Sequence, residues 1–534
     1  MLSPFRYVSC KNVDTLVNIS RHYARVRTKP KFDKTEVFVN DAKPKKDRVP
    51  IIKCKKSMYD FYQDDTFNKY KPVLASHGWD NRKTKDDHFF IYPYKSAGFE
   101  NDETIEFETF NDFGFNPTLC KNLENMDLIK PLNIQNLGIP KLYEGHNVLI
   151  AAETGCGKTL AYLLPMIEKL LEWKQRVDRD INCPLALIVT PSRELTVQIA
   201  LELIKLSKDL NIKTKIITGG RTKKMLMNPP VGDVDVLVCS FGVLSKLTTF
   251  RVYNLSFVRY MVLDEADSLF HSTFSEKLRV FMRRISVGFS TGATKNAFPG
   301  TAQLVLASAT IPSRLDEVLH GIVHPDSLQR VTTEKLHSIL VPQKFIRLIP
   351  SQKPSELLKF VKPKALQKQR VIVFTNRNGT SYWLACFLRE CGVSVVNLHG
   401  DMSLEVRRGK YGEFLNGKAM VLSTTNGGSR GLDTLMVNHI LNYDFPLDTA
   451  DYVHRCGRTG RVGTVGDSRV TNFISRPGEI AVVKKIEMAA RRRRPIPIFN
   501  LVETDEAKME AEDQNDQYVE KLIENLDEPD SVPY

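Results

Sequence analysis

The feature that most constrains this 534-residue chain is a pattern of short apolar runs that occurs in two successive series. The first series is 147–151 (NVLIA), 185–190 (LALIVT), 234–239 (VDVLVC), 260–264 (YMVLD) and 303–307 (QLVLA). The second is 371–375 (VIVFT), 394–398 (SVVNL), 419–423 (AMVLS) and 438–442 (NHILN). A strand with one face in water alternates polar and apolar residues, whereas continuous apolar runs fit strands covered on both faces of a parallel sheet. The helix-length stretches between them supply right-handed crossovers, which put ligand sites at the carboxyl ends of the strands. The expected fold class is α/β, with two parallel-sheet lobes in tandem, joined near 331–345 and separated by a cleft.

Between the first run and a helical stretch (LAYLLPMIEKLL) lies Ala152-Glu153-Thr154-Gly155-Cys156-Gly157-Lys158-Thr159. Small residues let backbone amides close around phosphate oxygens, and the following helix adds a favourable dipole. Lys158 is placed to reach the β- and γ-phosphates, and Thr159 to hold Mg²⁺. A bare G-K-[ST] arises by chance in roughly a quarter of chains this long at average usage. The inference therefore rests on the strand before the loop and the helix after it.

About a hundred residues on, Asp264-Glu265-Ala266-Asp267 ends the apolar run Tyr260-Met261-Val262-Leu263. Two adjacent acids at the edge of a buried strand are costly unless they serve a cation. Asp264 is expected to coordinate Mg²⁺, and Glu265 to position or deprotonate an attacking water. In the second series, His454-Arg455-Cys456-Gly457-Arg458-Thr459-Gly460-Arg461 places arginines three apart, on one face if helical. Arg458 and Arg461, projecting into the cleft, would meet a γ-phosphate as arginine fingers. Without the other motifs, the same segment reads as a basic surface helix or an RNA patch.

The ends differ from the middle. Residues 1–31 carry Arg6, Lys11, Arg21, Arg25, Arg27, Lys29 and Lys31 against the single acid Asp14. That is the composition of a mitochondrial presequence, the alternative being a basic tail. Residues 32–105 read as a basic, largely irregular extension whose runs 43–46 and 53–56 suit a nuclear signal, an RNA-contacting arm or a solvated linker. Lobe 1 is expected over 106–332, a linker over 333–345, lobe 2 over 346–494 and an acidic tail over 495–534. The net charge of +14 favours polyanionic partners, since Lys and Arg displace counterions from phosphates. The nine cysteines are scattered, with no C-x-x-C pair, and predict neither disulfides nor structural zinc. No run nears the 18 consecutive apolar residues of a membrane-spanning helix.

Together these segments resemble the DEAD-box RNA helicases over roughly 107–480, in the family's order and spacing. The resemblance implies two RecA-like lobes, ATP and Mg²⁺ as ligands, and RNA held mostly without regard to sequence. Phe110 and Gln135, within an adenine-reading motif at 107–135, would bind ATP with residues 152–159. Pro191, Arg193, Gly219 and Gly220 in the first lobe, with Arg407 and Thr425 in the second, would grip RNA. Ser308 and Thr310, with Asp267 and His454, would couple hydrolysis to RNA release, and Asp433 would support the ribose or the interlobe contact. Segments 74–89 (LASHGWDNRKTKDDHF) and 484–494 (KKIEMAARRRR) look most like a mitochondrial member linked to assembly of the large mitochondrial ribosomal subunit. That likeness implies a matrix location, with a nuclear or nucleolar second pool, and mitochondrial ribosomal proteins as partners of a monomeric core.

The chain also departs from the family pattern. Ser240-Phe241-Gly242-Val243-Leu244 stands where T-P-G-R-L is usual, Leu404 replaces a Gln, and Asn426 replaces an Asp. Asp127 replaces a Gly, and Leu132-Asn133 replace Thr-Pro. The phosphate loop and the carboxylates are intact, so ATP hydrolysis is expected to persist. Weaker RNA grip or lobe coupling leaves a second reading, an RNA-clamping assembly factor with ATPase but little unwinding. A DNA helicase is the third.

Overall fold

A computed structural model of the chain describes residues 48–67, 74–94, 107–219, 231–270, 274–289, 298–312, 314–333, 340–400, 402–429, 436–460 and 467–501, with a few single positions between them. Both lobes belong to one compact unit beginning at Val49. Three strands come before the first lobe: β1 (Pro50–Cys54), β2 (Phe61–Tyr62) and β3 (His88–Ile91). The extension expected at 32–105 thus contributes strands to the lobe 2 sheet, while most of its described residues lie outside helix and strand. The strands are short and lie at a sheet edge, too brief for a clear period-2 pattern.

Lobe 1 is built on β4 (Asn147–Ala151), β5 (Ala186–Thr190), β6 (Thr214–Ile217), β7 (Val236–Ser240), β8 (Tyr260–Asp264), β9 (Gln303–Ser308) and β10 (Leu328–Thr332). They form one parallel sheet in the order β10-β4-β9-β8-β5-β7-β6. Strands β4, β5, β7, β8 and β9 are buried along their whole length. Their alternate side chains feed two cores. Val148 and Ile150 pack on one side of the sheet, Leu149 and Ala151 on the other. This is why these runs are apolar throughout rather than alternating.

Lobe 2 contains β11 (Gln343–Arg347), β12 (Val371–Phe374), β13 (Val395–Leu398), β14 (Val421–Thr424), β15 (His439–Asn442) and β16 (Arg469–Ile474). The sheet runs β13-β14-β12-β15-β16-β11-β3-β1-β2, parallel as far as β11 and antiparallel from β3 onward. The linker expected at 333–345 is thus shorter, because β11 begins at Gln343 and pairs with both β16 and β3. The acidic tail expected from 495 also starts later: Ile496, Phe499 and Leu501 are buried against lobe 2. Strands β6, β10, β11 and β16 are absent from the two apolar series because each carries a charged residue or lies at or near a sheet edge.

The extension is held by a buried charge cluster. Glu487, in helix Pro477–Arg491, accepts from Ala75 N (2.8 Å), Ser76 N (3.0 Å) and Ser76 Oγ (2.6 Å), and is paired with Arg491 at 2.7 Å. Arg491 also donates to Tyr59 O at 2.7 Å, while Trp79 is fully buried beside Phe89. The segments 74–89 and 484–494, singled out separately in the sequence, therefore meet.

Candidate nucleotide site and interlobe contacts

The loop 152–157 leaves the carboxyl end of β4 and enters helix Lys158–Trp173. Gly155 (φ 84°) and Gly157 (φ 92°) are left-handed, a conformation that glycine adopts without steric cost. A side chain at Gly157 would collide with Gln135. Gln135 is 1% exposed; it donates to Gly157 O at 3.1 Å and accepts from Leu132 N at 2.7 Å. The adenine-reading candidate is thus tied directly to the phosphate-loop candidate. Phe110, also buried, belongs to the same core as Ile134. Lys158 Nζ is held by the carbonyls of Ala152 (2.6 Å) and Glu153 (2.8 Å). Asp127, standing where the family pattern has glycine, takes φ 58°, a conformation that aspartate tolerates better than most residues.

Asp264 closes β8 and is buried. Its Oδ2 accepts from Tyr162 Oη at 2.8 Å and its Oδ1 from Glu265 N at 2.8 Å. Burial pushes Asp264 up to about 6, opposed by the Tyr162 bond and reinforced by the Glu265 charge. Tyr162 also has Thr159 as a side-chain hydrogen-bond partner, so one phenol links the two expected Mg²⁺ ligands. Burial and then the Asp264 charge push Glu202 to about 7. Glu265 sits at φ 49°, a costly conformation for a non-glycine residue. Its Oε2 is buried without a hydrogen-bond partner. That orphaned oxygen, with the Asp264 carboxylate and the Thr159 hydroxyl, makes a hard, oxygen-rich donor set that fits Mg²⁺ and a water, while the nearby Lys158 charge suits a phosphate.

The expected coupling residues converge across the lobes. Asp267 Oδ1 lies 3.1 Å from His454 Nε2 of lobe 2. Its Oδ2 accepts from Thr310 N (3.1 Å) and Thr310 Oγ1 (3.0 Å), and Asp267 N donates to Ser308 Oγ at 3.3 Å. Burial disfavours charge on Asp267, but His454 and these hydrogen bonds outweigh it and hold the carboxyl well below its usual range. Arg458 NH2 is 3.8 Å from Glu265 Oε1. Thr154 Oγ1 donates to Gly457 O at 3.3 Å, and any side chain at Gly457 would collide with Thr154. Arg461 and Asp433 lie outside the described residues.

Of the expected RNA-gripping residues, Arg407 is 5% exposed and pairs with Glu194 at 3.2 Å, making another bridge between lobes. It also donates to Gly428 O at 3.0 Å. Thr425 donates to Asn378 Oδ1 at 3.1 Å. Gly219 N donates to Ser240 Oγ at 3.2 Å, and Arg193 lies beside Gly219. Pro191 precedes Ser192, the cap of helix Arg193–Leu206. Gly220 lies outside the described residues. Val243 is buried in the lobe 1 core, so the position where the family pattern has arginine carries packing instead. Asn426 accepts from Arg455 Nε at 2.7 Å; Arg455 also donates to Asn376 Oδ1 (2.6 Å) and Asp444 O (2.8 Å). Tyr162 and Glu202 belong to no motif of the sequence, and Arg455 lies in the His454–Arg461 segment with no role assigned to it there. For Tyr162 the available signal was its spacing of three from Thr159, which puts both hydroxyls on one helix face.

Residues 132–318 match the DEAD/DEAH box helicase family and residues 352–463 the helicase conserved C-terminal domain. The chain is 35% identical over 437 residues to "Probable ATP-dependent RNA helicase DDX28" of Mus musculus, covering 79% of this chain and 81% of that protein. The Homo sapiens protein of the same name is 34% identical over the same shares. Among solved structures, S. cerevisiae Dbp5 bound to RNA and ADP BeF3 superposes with a TM-score of 0.59 at 24% identity, covering 76% of this chain and 99% of that one. Mss116p bound to ssRNA and AMP-PNP gives 0.61 at 22% identity, covering 73% and 79%. These likenesses identify the two lobes as RecA-like.

Proposed function

The chain belongs to the DEAD/DEAH box helicase family of ATP-dependent RNA helicases, and from that premise we propose that it remodels RNA during assembly of the large mitochondrial ribosomal subunit. The observation that supports the site assignment is the convergence of Glu265 and Asp267 of lobe 1 with Arg458 and His454 of lobe 2. Phe110, Gln135 and residues 152–159 hold ATP. Asp264 and Thr159 would hold Mg²⁺, which neutralises charge on the β- and γ-phosphate oxygens. Glu265 orients the attacking water and takes its proton as the oxygen bonds to the γ-phosphorus and the bond to the ADP oxygen breaks. Arg458, with Arg461, stabilises the charge that spreads over the transferring group. Pro191, Arg193, Gly219 and Gly220 grip the RNA backbone with Thr425. Arg407 contributes by clasping Glu194, which holds the two RNA-facing surfaces together. ATP and RNA each favour the closed cleft, so each raises the affinity for the other.

Glu265→Gln is the direct test. It should retain ATP binding and lose RNA-stimulated turnover by at least the 10²–10⁴-fold typical of a general base. Substantial residual hydrolysis would contradict the role given to Glu265. The mitochondrial setting is supported by the composition of residues 1–31, which lie outside the described residues, and by the likeness of segments 74–89 and 484–494. Crosslinking to RNA in intact cells, followed by sequencing, reports target and compartment together. One observation favours the second reading, an RNA clamp with ribosomal protein partners: Val243 is packed in the core, so no cation faces RNA there. ATPase without strand separation would select the clamp.

A further inference from the structure

The composite sheet of lobe 2 has an inner face packed on helix Pro477–Arg491 through Ile52, Phe89, Ile91 and Phe345. Alternation puts the intervening residues of β3 on the opposite face. There His88, Phe90 and, just past the strand, Tyr92 are all partly exposed. Their rings form a row, with centroids 6.0 Å apart for His88–Phe90 and 6.2 Å for Phe90–Tyr92, the latter pair stacked at 20°. Buried apolar packing does not account for three rings left partly exposed along one side of β3 and its continuation.

The row is bordered by cations. Lys53 of β1 and Lys344 of β11 lie directly opposite Phe90 in register, so their side chains share its face. Lys344 Nζ is 5.3 Å from the Phe90 ring centroid and the Arg469 guanidinium 5.8 Å. Lys364, from helix Lys353–Leu366, is near enough to Lys344 and Arg469 for their charges, after burial, to push its pKa down. Lys344 is lowered in the same way by burial and Arg469. Among the described residues, Lys53, Lys344, Lys364 and Arg469 make no ion pair. Of the nearby carboxylates, Glu356 is engaged with Lys359 at 2.5 Å, Asp87 accepts from Trp79 Nε1, and Asp467 faces His439. Glu356 offsets part of the charge on Lys344, but clustered like charges are unfavourable in isolation and are relieved by a bound polyanion.

We propose that this face is an accessory platform for single-stranded RNA, stacking bases on His88, Phe90 and Tyr92 and holding phosphates with Lys53, Lys344 and Arg469. An open sheet face with aromatic rings in a line is a recurring solution to binding unpaired bases, since every base has a flat face to stack. The ring spacing is nearly twice the 3.4 Å rise of a stacked strand, which suits an extended, unstacked one. An acidic peptide would satisfy the cations but leave the rings without flat partners. The platform lies apart from the cleft. β3 is five strand positions from β14, which leads into Thr425, roughly 24 Å at about 4.8 Å per strand.

The test uses the full chain without nucleotide and a labelled oligouridine of about 12 nucleotides, read by fluorescence anisotropy across a salt series. Phe90→Leu keeps apolar bulk but removes the stacking face, and should weaken binding about tenfold. Phe90→Trp should restore it. The double variant Lys344→Gln/Arg469→Gln should lower the log–log salt slope by about 1.4, the share of two phosphate contacts on a single strand. An unchanged melting temperature checks that each variant folds. With 4-thiouridine in the oligonucleotide, crosslinks should map to peptides containing Phe90 or Tyr92. Affinities within twofold of the parent in all variants, with crosslinks confined to the interlobe cleft, would overturn the proposal. So would unchanged RNA binding together with a protein crosslinked to this face in cells, which would make it a protein-docking surface.

Discussion

Tyr162 shows how much a single hydroxyl can do. It is fully buried one helical turn after Thr159, and its phenol donates to Asp264 while also meeting Thr159. Without it, the Asp264 carboxylate would lose a partner in a site where burial already disfavours its charge. Tyr162→Phe is expected to raise the Mg²⁺ concentration needed for half-maximal nucleotide binding by roughly 5- to 150-fold, a loss of about 1–3 kcal/mol. Titrating Mg²⁺ against a fluorescent nucleotide checks this without relying on turnover. The acids and the lysine of this site were legible in the sequence because their chemistry is costly elsewhere. The tyrosine was not, because a hydroxyl on an apolar helix face reads as core until β8 is known to lie beside it.

At the scale of elements, the same contrast separates the central strands from the extension. Runs such as 147–151 and 260–264 identified themselves because burial on both faces leaves nothing polar in them. The N-terminal strands were missed because they are short and borrow most of their core from lobe 2. Segments 74–89 and 484–494 stood out in the sequence, but only the fold joins them, through Glu487. That carboxylate is fully buried, and Arg491 and Ser76 depend on it. Glu487→Ala strands the Arg491 charge and should cost about 3–5 kcal/mol. The expected outcome is a lower melting temperature and protease cleavage between 60 and 95, the docking of the extension being lost first. Thermal melting with limited proteolysis measures both.

For the whole molecule, His454 is one of several contacts that join the lobes, through Asp267. Burial alone would lower its pKa, but the Asp267 charge and their hydrogen bond more than offset this and raise it. A group whose pKa rises on closure takes up a proton as the lobes meet. The contribution is fully present below the ordinary histidine value of 6.5 and is lost as pH rises through the raised value. RNA affinity in the presence of a non-hydrolysable ATP analogue should therefore fall across that window, and His454→Gln should flatten the dependence. Anisotropy at a series of pH values decides it. The order of strands in the second sheet also governs how the molecule is made. β3 pairs with β11, about 250 residues later, and lobe 1 lies between them in the chain. At about 5–20 residues per second, the ribosome delivers β11 roughly 13–50 s after β3. Lobe 1 is complete, with all its strands paired within the lobe, while Phe89, Ile91 and Trp79 still wait for their partners in lobe 2. Strands β1–β3, made before lobe 1, can thus complete their sheet only after it, and their apolar side chains stay uncovered for that interval.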